Sequence, residues 1–492
     1  MRQTSRQIVS AVTSLIACLL PSVSPAAPLA ITNVNIVDVE NARRPLRLRQ
    51  TVIVDDGRIV VVGPVGRVKV DPGARTVDGS GKFLIPGLWD MHVHMLQPDR
   101  VASFATLFIT NGVTTVRDLG TSVKNYSTLV PQVRAMHEQG TAPRLFAGGP
   151  VVDGKPSRVA PMAIEVSTPE DARAAVRTLK EIGADFVKVY NRLAPDQYAA
   201  LVDEAQRQSL HVTGHIPWQV SAQQASEAGQ HTIEHLGSNY AGVLLGASTN
   251  ESMISKRVDA ELQRVGSSDL SILKVQRDAL REMLEGYDDA KATGLFSIFR
   301  KNGTWHVPTL VVLRSFAYRL DPKFMADERM KYLPSSIASR WREESQRYYS
   351  GATPEDIALA QTLYRKQMAT VGAMHQQRVK IVAGTDVLNP YVFPGFSMHD
   401  ELELLVEAGL TPHSALRAAT IEPATMMSRD AESGSIKKGK HADLVLLEGN
   451  PLDAIAHTRR IGAVVVNGRL LTKDDISSMQ RQVEQAATAQ PW

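Results

Sequence analysis

The chain of 492 residues has one cysteine, Cys18, so no disulfide can form within it. It also lacks a Lys/Arg-rich block. Its 55 basic and 51 acidic side chains leave a formal charge of only +4, which gives nucleic-acid binding no support. No stretch after residue 30 is long and apolar enough to span a bilayer. What remains is 43% hydrophobic and 22% charged, the balance of a globular protein. The length exceeds one minimal domain and suits a large barrel plus a smaller unit.

The first thirty residues stand apart. Arg2 and Arg6 precede an apolar run from Ile8 to Leu20, and small residues follow. This is the layout of a secretory signal peptide. Ser24-Pro25-Ala26 offers a small-x-small cleavage site, so a signal over residues 1–26 is expected, with the mature chain starting near Ala27. A second reading competes. Leu15-Ile16-Ala17-Cys18 has the form of a bacterial lipobox, in which Cys18 becomes a lipid anchor. Either way the protein is expected to be exported: periplasmic or secreted under the first reading, a membrane-anchored lipoprotein under the second.

Residues 29–80 are short β-like pieces separated by turn signals such as Asp56-Gly57 and Asp78-Gly79. HADLVLLEGNPL and IGAVVVNGRLL, near the other end, have the same character. The simplest expectation pairs the two blocks, 27–82 and 433–476, into one small β-sandwich. Between them, over 83–432, apolar strands alternate with helical patterns. FLIPGLWDMHVH, GVTTVRDLG, APRLFAGG, DFVKVY, HVTGHI, HTIEH, GTWHVPTLVV and VKIVAGTD read as eight strands. Eight alternations predict an α/β fold, a (β/α)₈ TIM barrel. Residues 240–300 and about 314–370 read as helical insertions after strands six and seven, placed where they can cap the site. The tail, 477–492, reads as frayed.

Barrel chemistry sits at the C-terminal ends of strands. His92 and His94 end strand one, Lys188 strand four, His215 strand five, His235 strand six and Asp386 strand eight. An H-x-H pair alone is weak, since 13 histidines yield roughly 0.3 such pairs by chance. Four more ligand-type residues at strand ends remove that objection. Imidazole and carboxylate suit zinc, or less specifically manganese, iron, cobalt or nickel. Four imidazoles exceed the needs of one catalytic metal, so two divalent ions about 3.5–4 Å apart fit better. No Glu or Cys presents itself as a bridge. Lys188 stands where a bridge is required, and a lysine carboxylated by CO₂ can serve.

In combination, LIPGLWDMHVH, GVTTVRDLG, FVKVY, GHI, EH and AGTD, followed by GSIKKGKHADLVLLEGNPL, resemble the metal-dependent amidohydrolase superfamily. The branch they look most like is that of imidazolonepropionase-like and Xaa-Pro-dipeptidase-like enzymes. The resemblance implies that His92, His94 and Asp386 hold one metal and His215 and His235 the other, with carboxylated Lys188 between them. It also implies a small amide substrate, a dipeptide or N-acyl amino acid with a free carboxylate. Asp386 would shuttle the proton, and Tyr190 is a candidate donor to a substrate carbonyl or carboxylate. A cyclic-amide or lactone hydrolase is the alternative. A mononuclear deaminase would have no use for Lys188, and a non-catalytic scaffold would lack ligands. A homo-oligomer is expected.

Bland readings stand beside these. Lys188 can be a charge partner for Asp118 or Asp386. His231, four residues before His235, is an alternative ligand. His306 on strand seven and His399 at a helix start are core histidines or substrate contacts. Arg117-Asp118 reads as a structural ion pair. Asp90, two residues before His92, is expected on the same face, with no role assigned to it.

Overall fold

The run FLIPGLWDMHVH is not one strand. In the computed structural model, which describes residues 27–237, 242–264 and 272–489, it breaks at Gly87. A Cβ there would sit 2.0 Å from Thr114 Oγ1, so only glycine lets the two segments turn apart. Phe83–Pro86 joins the small sheet, with Leu84 opposite Leu446 on one side and Ile36 on the other. The barrel therefore starts at Leu88, not at residue 83. The expected signal segment, with Cys18, lies outside the described residues.

The small sheet draws five strands from the N-terminal side: Leu29–Val37, Leu46–Asp55, Arg58–Pro64, Arg75–Asp78 and Phe83–Pro86. Leu444–Leu447, Ile461–Val466 and Arg469–Thr472 come from the C-terminal side. All eight belong to one hydrogen-bonded sheet, so the expected sandwich halves are continuous. Alternating apolar residues such as Ile31, Val52, Val54, Leu444 and Leu446 bury one face in a core of its own.

Eight parallel strands form the barrel: Leu88–Val93, Val113–Asp118, Arg144–Ala147, Val187–Val189, Val212–Gly214, Thr232–Glu234, Trp305–Val307 and Lys380–Ile381. Two short ladders are joined by backbone bonds. Asp185 N–H donates to Ala147 O at 2.9 Å between strands three and four. Met91 N–H donates to Ala383 O at 3.0 Å, and Asp386 N–H to His92 O at 2.7 Å, between strands one and eight. Trp89, Met91, Phe146, Phe186, Trp305, Val307 and Val382 fill the interior.

The connecting helices follow their sequence signals. In PEDARAAVRTLKE (Pro169–Glu181), Thr168 Oγ1 accepts from Asp171 N–H and the Asp171 carboxylate accepts from Thr168 N–H. Ala172, Ala175, Val176 and Leu179 supply its buried stripe. After strand seven come Leu310–Tyr318 and Ser335–Tyr348, which overhang the C-terminal mouth, and then Pro354–Gln376. Among the described residues no helix is long and apolar enough to cross a membrane. The tail is not frayed over its length. Lys473–Ala489 is one helix, because Ile476, Val483 and Ala487 recur at helical spacing and are buried.

Candidate metal centre

A kink in strand one aims the two histidines. Trp89 and Met91 face the barrel interior, so strict alternation would turn Val93 inward and both imidazoles away. The pairing with strand two is irregular between Asp90 and Val93. That extra residue reverses the alternation, as bulges beside active sites do. His92 and His94 then face the mouth, while Val93 packs in the outer apolar layer. Asp90 consequently does not share their face. Its carboxylate accepts from Thr385 N–H at 2.9 Å and from the Thr385 hydroxyl at 2.6 Å, fixing the strand-eight turn just before Asp386.

Two other expected ligands are also aimed by turns. His235 and Asp386 both adopt left-handed backbone conformations, with φ of 56° and 60°. Such conformations are costly for non-glycine residues and cluster at functional sites. Lys188 faces inward by ordinary alternation with Phe186. It has room because residue 214 is glycine, where a Cβ would lie 2.9 Å from Lys188 Cδ.

The side chains converge. His92 Nε2 and His94 Nε2 lie 3.4 and 3.3 Å from Asp386 Oδ1, and His235 Nε2 lies 3.6 Å from Oδ2. Among the described residues, ligand atoms of His92, His235 and Asp386 fall within 4.8 Å of one another. The His215 ring stands edge-on to His235 at 5.1 Å. Every one of the four imidazoles has Nδ1 engaged. The partners are Glu234 Oε2 for His92 (2.8 Å), Gly120 O for His94 (3.3 Å), Asn191 Oδ1 for His215 (2.7 Å) and Thr309 Oγ1 for His235 (2.6 Å). With Nδ1–H donating, each Nε2 keeps its lone pair for a ligand bond, the usual arrangement behind metal-bound histidine. His92 Nε2 is buried and has no hydrogen-bond partner, a donor set aside for something the protein does not itself supply. The residues fit a divalent cation.

Glu234 is the residue that sequence reading passed over. It is fully buried and accepts from His92, Thr213 and Thr232, and from Arg117 Nη2 at 2.7 Å. Burial pulls its carboxyl upward, yet Arg117 and Lys188 outweigh that and hold it below the usual range. Arg117 thus does not pair with Asp118. Adjacent strand residues face opposite sides. Asp118 instead accepts backbone N–H groups of Met95, Leu96 and Gly120, organising the loop after His94.

Lys188 is 2% exposed, and burial pushes its ammonium down to about 8. Tyr190 lies over His215 with ring centroids 4.4 Å apart, its phenol pushed up to about 12 chiefly by burial. Three histidines lie away from this mouth. His231 stacks on His211 at 4.0 Å, at the opposite end of strand six. His306 points out of the barrel onto Phe299, since Trp305 and Val307 take the inward positions. His399 is bonded through Nδ1 to Thr458 and through Nε2 to Asn111 O. None contacts the cavity. That cavity, about 500 Å³, is walled by Val312, Leu313 and Phe316 opposite the ligand cluster, with Arg158 and Arg340 among its lining.

Residues 83–471 match the amidohydrolase family. Imidazolonepropionase of Symbiobacterium thermophilum is 24% identical over 442 residues, covering 85% of this chain and 89% of that protein. Adenine deaminase of Paracoccus denitrificans is 42% identical over 69 residues, and there the chain spans only 11% of the relative's length (13% of its own). Among solved structures, a Xaa-Pro dipeptidase with methionine bound in its active site superposes with a TM-score of 0.63 at 20% identity. It covers 91% of this chain and 100% of that one, and it shares the fold.

Proposed function

Because the chain belongs to the amidohydrolase family, we propose that it is a metal-dependent hydrolase that cleaves an amide bond of a small substrate such as a dipeptide or N-acyl amino acid. The observation that carries this reading is the set of four imidazoles with Nδ1 committed, three of them with Nε2 3.3–3.6 Å from Asp386, in one cavity with Lys188. His92, His94 and Asp386 would hold one divalent ion and His215 and His235 a second, with carboxylated Lys188 as a further ligand. Zinc is the first candidate, from the nitrogen and oxygen donors.

Two such cations, when bound, make hydroxide available at neutral pH and polarise a carbonyl. The chain's own groups do the rest. Asp386, beside three imidazoles, is held well below the usual carboxylate range despite its burial, so it is ionised and able to accept the attacking water's proton. It then returns that proton to the leaving amine. Tyr190 stays protonated at neutral pH and donates its O–H to the substrate. Lys188, pushed toward its neutral amine by burial, is suited to react with CO₂. The cavity of about 500 Å³ takes a small molecule and no folded protein.

The test is reconstitution with zinc, metal counting by mass spectrometry, and amine release from a dipeptide and N-acyl amino acid library. Two metals per chain with amine release supports the reading. No metal uptake, or two metals with no amide cleaved across the library, overturns it.

A further inference from the structure

One charge at the mouth is left over. Arg158 lines the metal cavity, and among the described residues its guanidinium has neither a carboxylate partner nor a hydrogen bond. The other arginines nearby are engaged by a carboxylate or by aromatic rings. Arg340, on the helix Ser335–Tyr348, reaches the same cavity but has the Glu344 carboxylate 3.7 Å away. Arg192 lies against the Trp218 ring at 5.5 Å. Arg319 lies between Phe316 and Tyr348.

The loop bearing Arg158 is built to hold still. Ser157 donates its hydroxyl to Asp153 Oδ2 at 2.8 Å and its backbone N–H to Glu165 at 2.6 Å. Ser157 Oγ in turn accepts from Val159 N–H. Asp153 is fully buried and also accepts from Arg192 N–H at 2.7 Å, tying this loop to the one after strand four that carries Tyr190. Arg158 therefore branches from a braced stretch of backbone and lines the same cavity as Tyr190. The same cavity has an apolar lining in Val312, Leu313 and Phe316. An unpaired arginine that shares a cavity with apolar side chains is a recognition element for an anion attached to an apolar body.

We propose that Arg158 docks the free carboxylate of the substrate, with the substrate's side chain against Val312, Leu313 and Phe316, and so selects acids over their neutral counterparts. The proposal rests on the amide-hydrolase reading for what the substrate is, but docking can be measured without turnover. Arg158 is a specificity residue and takes no part in the bond cleavage.

Two probe pairs are used on the zinc-reconstituted full-length protein and its Arg158→Gln and Arg158→Lys variants. The first is N-acetyl-L-phenylalanine against N-acetyl-L-phenylalaninamide, read as the ratio of kcat/KM. The second is 4-phenylbutyrate against 4-phenylbutanol, which contain no bond to hydrolyse, read by calorimetric Kd. A charge-assisted bond gives the native protein a preference for the acid of about tenfold to a hundredfold. Arg158→Gln should bring both ratios close to one, and Arg158→Lys should keep part of the preference. A loop that merely lost its shape would weaken both members of a pair together and leave the ratios intact. Unchanged ratios in Arg158→Gln overturn the proposal and assign the anion to the metals. An Arg158-dependent preference in the second pair with no amide cleaved in the first pair or across the dipeptide and N-acyl amino acid library keeps the docking and overturns the amide reaction. Turnover of the first pair with ratios indifferent to Arg158 does the reverse.

Discussion

Replacing Glu234 by Gln tests how the centre is held together. The carboxylate meets two demands at once: it accepts from His92 Nδ1 at 2.8 Å and from Arg117 Nη2 at 2.7 Å. An amide of the same shape has one oxygen and one NH₂. With the oxygen toward Arg117, the NH₂ faces His92 and forces the imidazole to carry its proton on Nε2, where a metal would bind. With the oxygen toward His92, the NH₂ opposes a buried guanidinium. Both outcomes are expensive. Removing one partner of a buried ion pair costs about 3–5 kcal/mol, because the survivor stays buried and unpaired. Losing the carboxylate behind a metal-bound histidine lowers metal affinity about 10–100-fold. We expect Glu234→Gln to show both effects, by urea unfolding of the metal-free protein and by zinc competition with a chromogenic chelator. Adding Arg117→Met should recover much of the stability and part of the metal affinity, since it removes the stranded cation and frees the amide oxygen to accept from His92 Nδ1–H. If Glu234→Gln binds zinc as tightly as the parent and unfolds at the same urea concentration, the account of the four imidazoles is wrong at its first member.

Other outcomes can be checked alongside. Asp386→Asn should keep the fold while kcat for the best substrate falls by orders of magnitude; near-normal turnover would remove the carboxylate from proton transfer. Gly214→Ala places a Cβ 2.3 Å from Val189 O and 2.9 Å from Lys188 Cδ, so soluble yield and thermal midpoint should both drop, and a neutral result would contradict the tight packing of strands four and five. Burial pushes Glu401 up to about 8, although Leu310 and Val311 N–H groups donate to it. Its folded value thus exceeds its unfolded one, and the native state binds more protons between about pH 5 and 8. Stability should fall as pH rises through that window, and Glu401→Gln should flatten the slope in chemical unfolding. Intact mass of the mature protein should correspond to a start near Ala27; a diacylglyceryl adduct on Cys18 would favour the lipoprotein.

What the sequence made legible was the part that periodicity governs. Eight strand-helix alternations and ligand-type residues at strand ends suffice to bring His92, His94, Lys188, His215, His235 and Asp386 to one mouth, where the structure has them. What it hid was local geometry that no period encodes. The bulge in strand one reverses which residues face inward, so Asp90 was assigned to the wrong face. The left-handed turns at His235 and Asp386 let Glu234 and His235, adjacent in sequence, both serve the same site. Arg117 is the opposite case. Alternation already argued against a pair with Asp118, and following it across the barrel would have led to Glu234. His306 was decidable in the same way, because Trp305 and Val307 on either side are the bulkier claims on the interior.

The strand Phe83–Pro86 lies between Asn35–Ile36 and Leu444–Leu447, so its two neighbours in the sheet are made some four hundred residues apart. A nascent chain cannot complete that sheet until the last tenth of it has left the ribosome. Such long-range pairing slows folding. The same arrangement makes the C-terminal fifty residues unsafe to trim: a truncation there strips a partner from the strand that leads directly into His92.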